Sequence, residues 1–480
     1  MSLPRDRLLY PSAQGLDTAL TELEDRGLIG WDREANRYDA HPIVRGVVWQ
    51  HTDAKDQQAI YTALEAHFEP MATPASDDVE SLDDLTPAVE RYYTLVGLGR
   101  YDDAYVLFRD RLSHATLYRL AAHRERIEWL ERLFPEGVEG PPALVDNGRQ
   151  SFTLDNLAIS YWFSSQPGRA VPLYRRSIEI RKQQGDKRNQ QISLSTFGML
   201  LREIGACREA AGTLRQALLL NRESADTFSE GGILRNLGRV LSTTGDYALS
   251  RVTLGRSQRL FAKRGQTQAE GVVIAFLAER SLWFIDFATA SALANQAWKI
   301  GTARRNVRDC IHAAFLQGQA ALGLSDLERA DERLHHALTR ARAVNLDLEI
   351  PALIAIAALE SQQGHLAGAR ARLDEVWDAA VRGPYPLYQA DAYNVLADIE
   401  QAEGNTQAAI EAATRAYQAA WCDGPPYAYH WGLEKAKAHL KALDAPEPDM
   451  PAFDESTFEP LPEVEINPQD EHWVDPATLD

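Results

Sequence analysis

From residue 150 onward, apolar residues recur at helical spacing in stretches broken by a turn residue, with a small residue five positions after it. Aligning on these breaks gives Ser165/Ala170, Gly205/Ala210, Gly245/Ser250, Ile285/Ala290, Ser325/Ala330, Gly364/Ala369 and Gly404/Ala409, spaced 40, 40, 40, 40, 39 and 40 residues apart. A second column fixes the register. Seven residues before each turn stand Ala158, Gly198, Gly238, Ala278, Gly318, Ala357 and Ala397, all Gly or Ala. With those two types at about a fifth of ordinary residues, seven hits in phase have a chance on the order of one in 10⁵. The pattern predicts seven helical hairpins with a period near 40.

A small residue in that column lets the two helices of a hairpin approach closely. Leu157, Tyr161, Phe197, Leu201, Leu237 and Leu241 on first helices, with Tyr174, Leu214, Leu254 and Leu334 on second helices, supply the filling. One hairpin cannot bury its apolar face alone, so neighbours stack into a solenoid. An eighth hairpin around Gly99/Ala104 lies 66 residues before the next turn, leaving room for an extra helix at 117–134 and a Pro-rich loop, FPEGVEGPP, at 134–142. Residues 428–443 read as a polar helix capping the last repeat. The expected divisions are a partial winged helix and following helix at 1–69, a linker at 70–85, a helical subgroup at 86–149, the solenoid with its cap at 150–443, and a tail at 444–480.

The turns GDYALS (245–250), SDLERA (325–330) and GRYDDA (99–104), with Ala217, Ala297, Ala337 and Ala416 late on second helices, resemble the tetratricopeptide repeat. The resemblance implies an all-α, tetratricopeptide-like solenoid that binds proteins or peptides. The period near 40 is like that of the family's long-helix variants, and FIDFATA around 285 departs from the usual Gly turn.

In the first seventy residues, Leu16–Arg26 has helical spacing and ends at Gly27, Leu28–Trp31 and Arg37–Ala40 read as two short strands, and Pro42 opens a helix. The stretch LPRDRLL…LDTALTELEDRGLIGWDREANRYDAHPIVRG resembles the winged-helix module of STAND-type (NB-ARC) switch ATPases. That resemblance implies that His41, in Ala40-His41-Pro42, corresponds to the family's nucleotide-sensing histidine, and that an ATPase domain stands upstream. No G-x-x-x-x-G-K-[ST] phosphate loop occurs in this chain, so His41 is expected to be a relic here and no cofactor is expected.

Net charge is −19; Asp444–Asp480 holds twelve acidic residues and no Lys or Arg, so residues 1–443 carry only −7. A near-neutral body with an acidic tail argues against nucleic-acid and anionic-membrane binding. The helix at the DNA-reading position contains Asp17, Glu22, Glu24 and Asp25 against Arg26 alone, which places a transcription regulator behind the protein-interaction readings. Cys207, Cys310 and Cys422 show neither a disulfide framework nor a zinc spacing. Without a signal peptide or a long apolar run, a cytoplasmic protein is expected.

No spacing of a catalytic constellation is present, so a non-catalytic interaction or sensor module is expected, with a free-standing scaffold as the alternative. By repeat register, the groove positions are Asp155, Trp162, Ser195, Arg202, Arg235, Arg239, Glu279, His312, Phe315, Gln319, Asn394 and Asp398. Arg202, Arg235 and Arg239 fall on neighbouring repeats and suggest a basic patch for an acidic peptide. The tail has seven prolines and no helical or strand period, yet it offers Phe453, Phe458, Val464, Ile466 and Trp473 as anchors, making the chain itself a second possible groove ligand.

Overall fold

The computed structural model describes residues 13–32, 37–40, 42–224, 226–344, 348–380 and 383–466, which divide into two compact units. Residues 1–115 and 132–144 make the first, residues 116–131 and 145–480 the second. The first unit opens with helix α1 (Ala13–Asp25), an antiparallel hairpin β1 (Ile29–Asp32) and β2 (Arg37–Ala40), and α2 (Pro42–His51). Ile29 pairs with Ala40 and Trp31 with Tyr38, whose rings lie 4.5 Å apart. Helices α3 (Ala54–Phe68), α4 (Thr86–Gly97) and α5 (Tyr101–Leu107) follow. Between α3 and α4, the segment expected as a linker buries Val79 and Leu85 completely. His41 lies outside the described residues.

The second unit begins with α6 (His123–Glu131) in place of the longer helix expected at 117–134. It anchors through the fully buried Arg126, which donates to Ser160 Oγ at 3.1 Å and Asn156 Oδ1 at 2.7 Å on the next helix. Seven hairpins then run in sequence: α7 (Asn147–Phe163) with α8 (Pro167–Gln184), α9 (Lys187–Glu203) with α10 (Cys207–Ser224), α11 (Thr227–Thr243) with α12 (Tyr247–Lys263), and α13 (Thr267–Trp283) with α14 (Phe287–Ala303). After these come α15 (Val307–Gly323) with α16 (Leu327–Ala343), α17 (Glu349–Gln362) with α18 (Leu366–Ala380), and α19 (Pro386–Ala402) with α20 (Thr406–Trp421); α21 (His430–Ala442) ends the series. The second unit is thus an all-α solenoid, and the first is helical with one small hairpin among the described residues.

The two sequence columns have distinct physical roles. At Gly198, Gly238 and Gly318, an added Cβ would stand 2.5–2.6 Å from Cγ of Leu214, Leu254 and Leu334, so glycine is what allows each first helix to touch its partner. All seven turn residues adopt left-handed backbone, with φ between 59° and 85°. Ile285 does so as a β-branched side chain, φ 60°, while 74% exposed, so it bears the strain without gaining burial. Ile285→Gly is expected to stabilise the unit by about 1 kcal/mol, the relieved strain exceeding glycine's added chain entropy; a lowered midpoint in thermal unfolding would contradict this.

Successive first helices pack against each other while successive second helices splay apart, so the first helices line the concave side. The coil then meets itself. Second helices α12, α14 and α16 are capped by their own Asp246, Asp286 and Asp326, but α10 has Ala206 at that position. Its missing acceptor comes from the last repeat: Arg208 N–H donates to Asp423 Oδ2 at 2.9 Å, across 215 residues. Nearby, Trp431 Nε1 donates to Ser242 O at 2.9 Å and its ring meets Phe284 edge-on at 4.5 Å. An added Cβ on Gly205 would stand 2.5 Å from Pro386, and one on Gly245 2.6 Å from His430. Helix α21 therefore does more than cover the last repeat; it packs on repeats three and four, while Pro386 and Asp423 of repeat seven meet repeat two.

The described part of the tail, to residue 466, is packed along the outside. Trp421 Nε1 donates to Pro451 O at 3.1 Å, and Phe453 stacks with Phe458 at 5.5 Å. Arg208 then covers Phe458 at 4.3 Å and donates to Glu459 O at 2.5 Å, and Arg222 donates to Glu465 O at 2.9 Å. The tail follows the convex helix α10, and these contacts do not involve Arg202, Arg235 or Arg239. Trp473 lies outside the described residues.

Candidate functional site

The positions expected to line the groove stand on the concave first helices, but most are joined repeat to repeat. Ser193 Oγ donates to Asp155 Oδ2 at 2.7 Å, Asn236 Nδ2 to Ser195 Oγ at 3.0 Å, and Arg202 Nη1 to Thr243 Oγ1 at 3.3 Å. Asn394 Nδ2 donates to Gly432 O at 3.0 Å, and Lys435 Nζ meets Asp398 Oδ2 at 2.9 Å. Each contact spans 37–41 residues, one repeat, so these side chains form a polar ladder between neighbouring first helices. Trp162, His312 and Phe315 are buried, and Gln319 is half-buried.

The expected three-arginine patch is not one electrostatic unit. Arg239 makes a two-pronged pair with Glu279, Nε to Oε2 at 2.7 Å and Nη2 to Oε1 at 2.8 Å, and lies 4.3 Å from the Phe276 ring centroid. Burial alone would raise the Glu279 pKa, but Arg239, with help from Arg202, holds it down at about 2. Arg202 is only 3% exposed in the same neighbourhood. His312 stays neutral there: burial takes its pKa down to about 3, with Glu279 opposing the shift. Two of the three guanidinium charges thus face a buried carboxylate.

Arg235 differs. It is half-buried on α11, and its guanidinium donates through Nε to Asn236 Oδ1 at 3.1 Å. Asp309 attracts its charge, but among the described residues no carboxylate is hydrogen-bonded to it. The nearby Asp309 is instead bonded by Gln268 Nε2 at 2.8 Å.

Groups that the sequence did not bring forward complete this face. Arg308 lies 4.1 Å from the Phe163 ring, linking the fifth hairpin to the first. Tyr429 Oη donates to both oxygens of Asp391 at 3.1 and 3.2 Å. Burial raises the Asp391 pKa to about 7, against the lowering effects of that hydrogen bond and of Lys435. In the sequence these groups are marked only by the aromatic cluster YAYHW at 427–431. Among the described residues there is no cluster of metal-binding side chains, and no helix is long and apolar enough to cross a membrane.

No family model and no curated protein matches the sequence. The similarities that exist are of fold alone. A signal transduction ATPase with numerous domains and a tetratricopeptide repeat sensor from Pyrococcus horikoshii aligns with 88% of this chain at 15% identity and a TM-score of 0.42. The chain spans 60% of that protein's length. A Rap protein complexed with competence and sporulation factor aligns over 75% of this chain and 97% of its own, at 13% identity and a TM-score of 0.41. Yeast Tom70 aligns over 81% and 86%, at 12% identity and a TM-score of 0.40.

Proposed function

We propose that this chain is a non-catalytic recognition module that takes a carboxylate-bearing protein segment on the concave side of its solenoid, with Arg235 as the anchoring charge. The supporting observation is the state of Arg235: a half-buried guanidinium on the concave side that is hydrogen-bonded to Asn236 and attracted by Asp309 without a hydrogen-bonded carboxylate among the described residues. A planar fork of donors held near a low-dielectric wall suits a bidentate carboxylate. Asp155, Trp162, Ser195, Arg202, Arg239, Glu279, His312, Phe315, Gln319, Asn394 and Asp398 then serve chiefly to hold the shape around it.

Within this reading the module is a cytoplasmic sensor of a STAND-type switch, with an ATPase domain upstream and His41 as the remaining edge of its nucleotide site. The order α1, β1–β2, α2 supports the winged-helix part of that reading. A free-standing scaffold is the alternative, and the acidic α1 keeps DNA regulation behind both.

The test is binding of a fluorescent acidic peptide library, read by anisotropy. Arg235→Glu is expected to weaken the selected peptides at least tenfold, and Arg235→Lys to retain part of the affinity, with the thermal midpoint unchanged in both. Selected peptides that bind Arg235→Glu as well as the parent would refute the anchoring role.

A further inference from the structure

Cys207 and Cys422 are 215 positions apart and give no sign of association in the sequence. The closure of the coil brings them together. Cys207 opens α10 and is completely buried; Cys422 follows α20 in left-handed backbone, φ 51°, and is half-buried. Three approaches fix this meeting, two of them independent of the sulfurs. Arg208 N–H donates to Asp423 Oδ2 at 2.9 Å, so the residues immediately following each cysteine are bonded to one another. An added Cβ on Gly205 would come within 3.2 Å of Cys422 Sγ. That same Cβ would stand 2.5 Å from Pro386 Cγ, which marks how tightly the two repeats are pressed here. The Cys422 thiol itself lies 3.8 Å from Ala419 O.

We propose that Cys207 and Cys422 form a reversible disulfide that latches the seventh repeat onto the second, with hydrogen peroxide as oxidant. The difference in exposure sets the order of steps. Cys422, the reachable thiol, attacks one peroxide oxygen as thiolate; the O–O bond breaks and hydroxide leaves, taking a proton to become water. Cys207 sulfur then attacks the Cys422 sulfur, the S–O bond breaks, and the departing hydroxide takes the Cys207 proton as a second water. Two thiols lose two electrons in total and one peroxide is reduced to two waters. The neighbouring Cys422 thiol, and then burial, push the Cys207 pKa up, so Cys207 acts as the resolving thiol and not as the first to be oxidised. Cys310 stands apart, with Thr302 Oγ1 3.9 Å from its sulfur, and serves as an internal control.

The latch does not depend on what the concave side binds. The test is peroxide treatment of the whole chain, followed by alkylation under denaturing conditions and non-reducing peptide mapping. Alkylatable thiols are expected to fall from three to one, with a Cys207–Cys422 linked peptide, monomeric chain and a thermal midpoint several degrees higher, all reversed by dithiothreitol. Cys310→Ser should keep the linkage. Cys422→Ser, at the half-buried position, should lose it while folding normally. Cys207 remaining open to alkylation after Cys422 is oxidised, or a link that forms only between two chains, would overturn the proposal.

Discussion

Replacing Glu279 with alanine is expected to destabilise the second unit by about 3–5 kcal/mol, the cost of leaving a buried charge without its partner. Glu279 meets Arg239 through two bonds of 2.7 and 2.8 Å, with each side chain about 13–14% exposed. Arg202 adds a second positive charge that Glu279 also faces. Removing the carboxylate leaves two guanidinium groups facing each other in low dielectric. The paired change Arg239→Met with Glu279→Leu should recover much of the loss, because two apolar side chains carry no desolvation cost. Urea unfolding of both variants measures this; a loss below about 1 kcal/mol for Glu279→Ala would show that water screens the pair as it does a surface bridge.

Asp391 should make stability depend on pH near neutrality. Its pKa is raised from 3.8 to about 7, so between those values the folded chain keeps a proton that the unfolded chain has released. Stability from this group therefore falls as pH climbs from about 4 to about 7, and is level above that. A shift of about three pKa units corresponds to at most ~4 kcal/mol across that window. His312, lowered from 6.5 to about 3, acts in the opposite sense, since a neutral buried imidazole favours folding as pH rises towards 6.5. The difference between parent and Asp391→Asn isolates the carboxyl. That variant should gain stability over the parent progressively from about pH 4 to about pH 7, with a constant difference above, because the amide oxygen still accepts from Tyr429 and never ionises. Parallel stability curves for the two proteins would rule out a buried, proton-holding Asp391.

What could be read from the sequence was what repeats. The seven turns, their left-handed residues and the Gly198, Gly238 and Gly318 contacts are each repeated about every 40 positions, and a local steric need recurring in phase leaves a visible column. Even Ile285, the departure from the pattern, kept the backbone geometry of its neighbours. The concave side was less legible. Register correctly placed Ser195, Arg202 and Glu279 on first helices, but it could not show that these helices run close enough for side chains to bond across one repeat. Coil closure was least legible, because Asp423, Trp431 and Cys422 occur once each and pair with residues some two hundred positions away. The one clue was a gap: Ala206 stands where Asp246, Asp286 and Asp326 cap their own helices.

That borrowed cap sets a schedule for biosynthesis. Arg208 and Asp423 are separated by 215 residues, and a ribosome adding roughly 5–20 residues per second delivers the second about 10–40 s after the first. Throughout that interval α10 has emerged and its neighbours can stack, yet its first turn is without an acceptor and the surfaces that Trp431 and Pro386 will cover are open to the cell. An ordinary repeat array can finish each hairpin as it emerges. Here the second hairpin is completed only by the last, so a stalled or truncated nascent chain presents an unfinished early repeat for quality-control factors to detect.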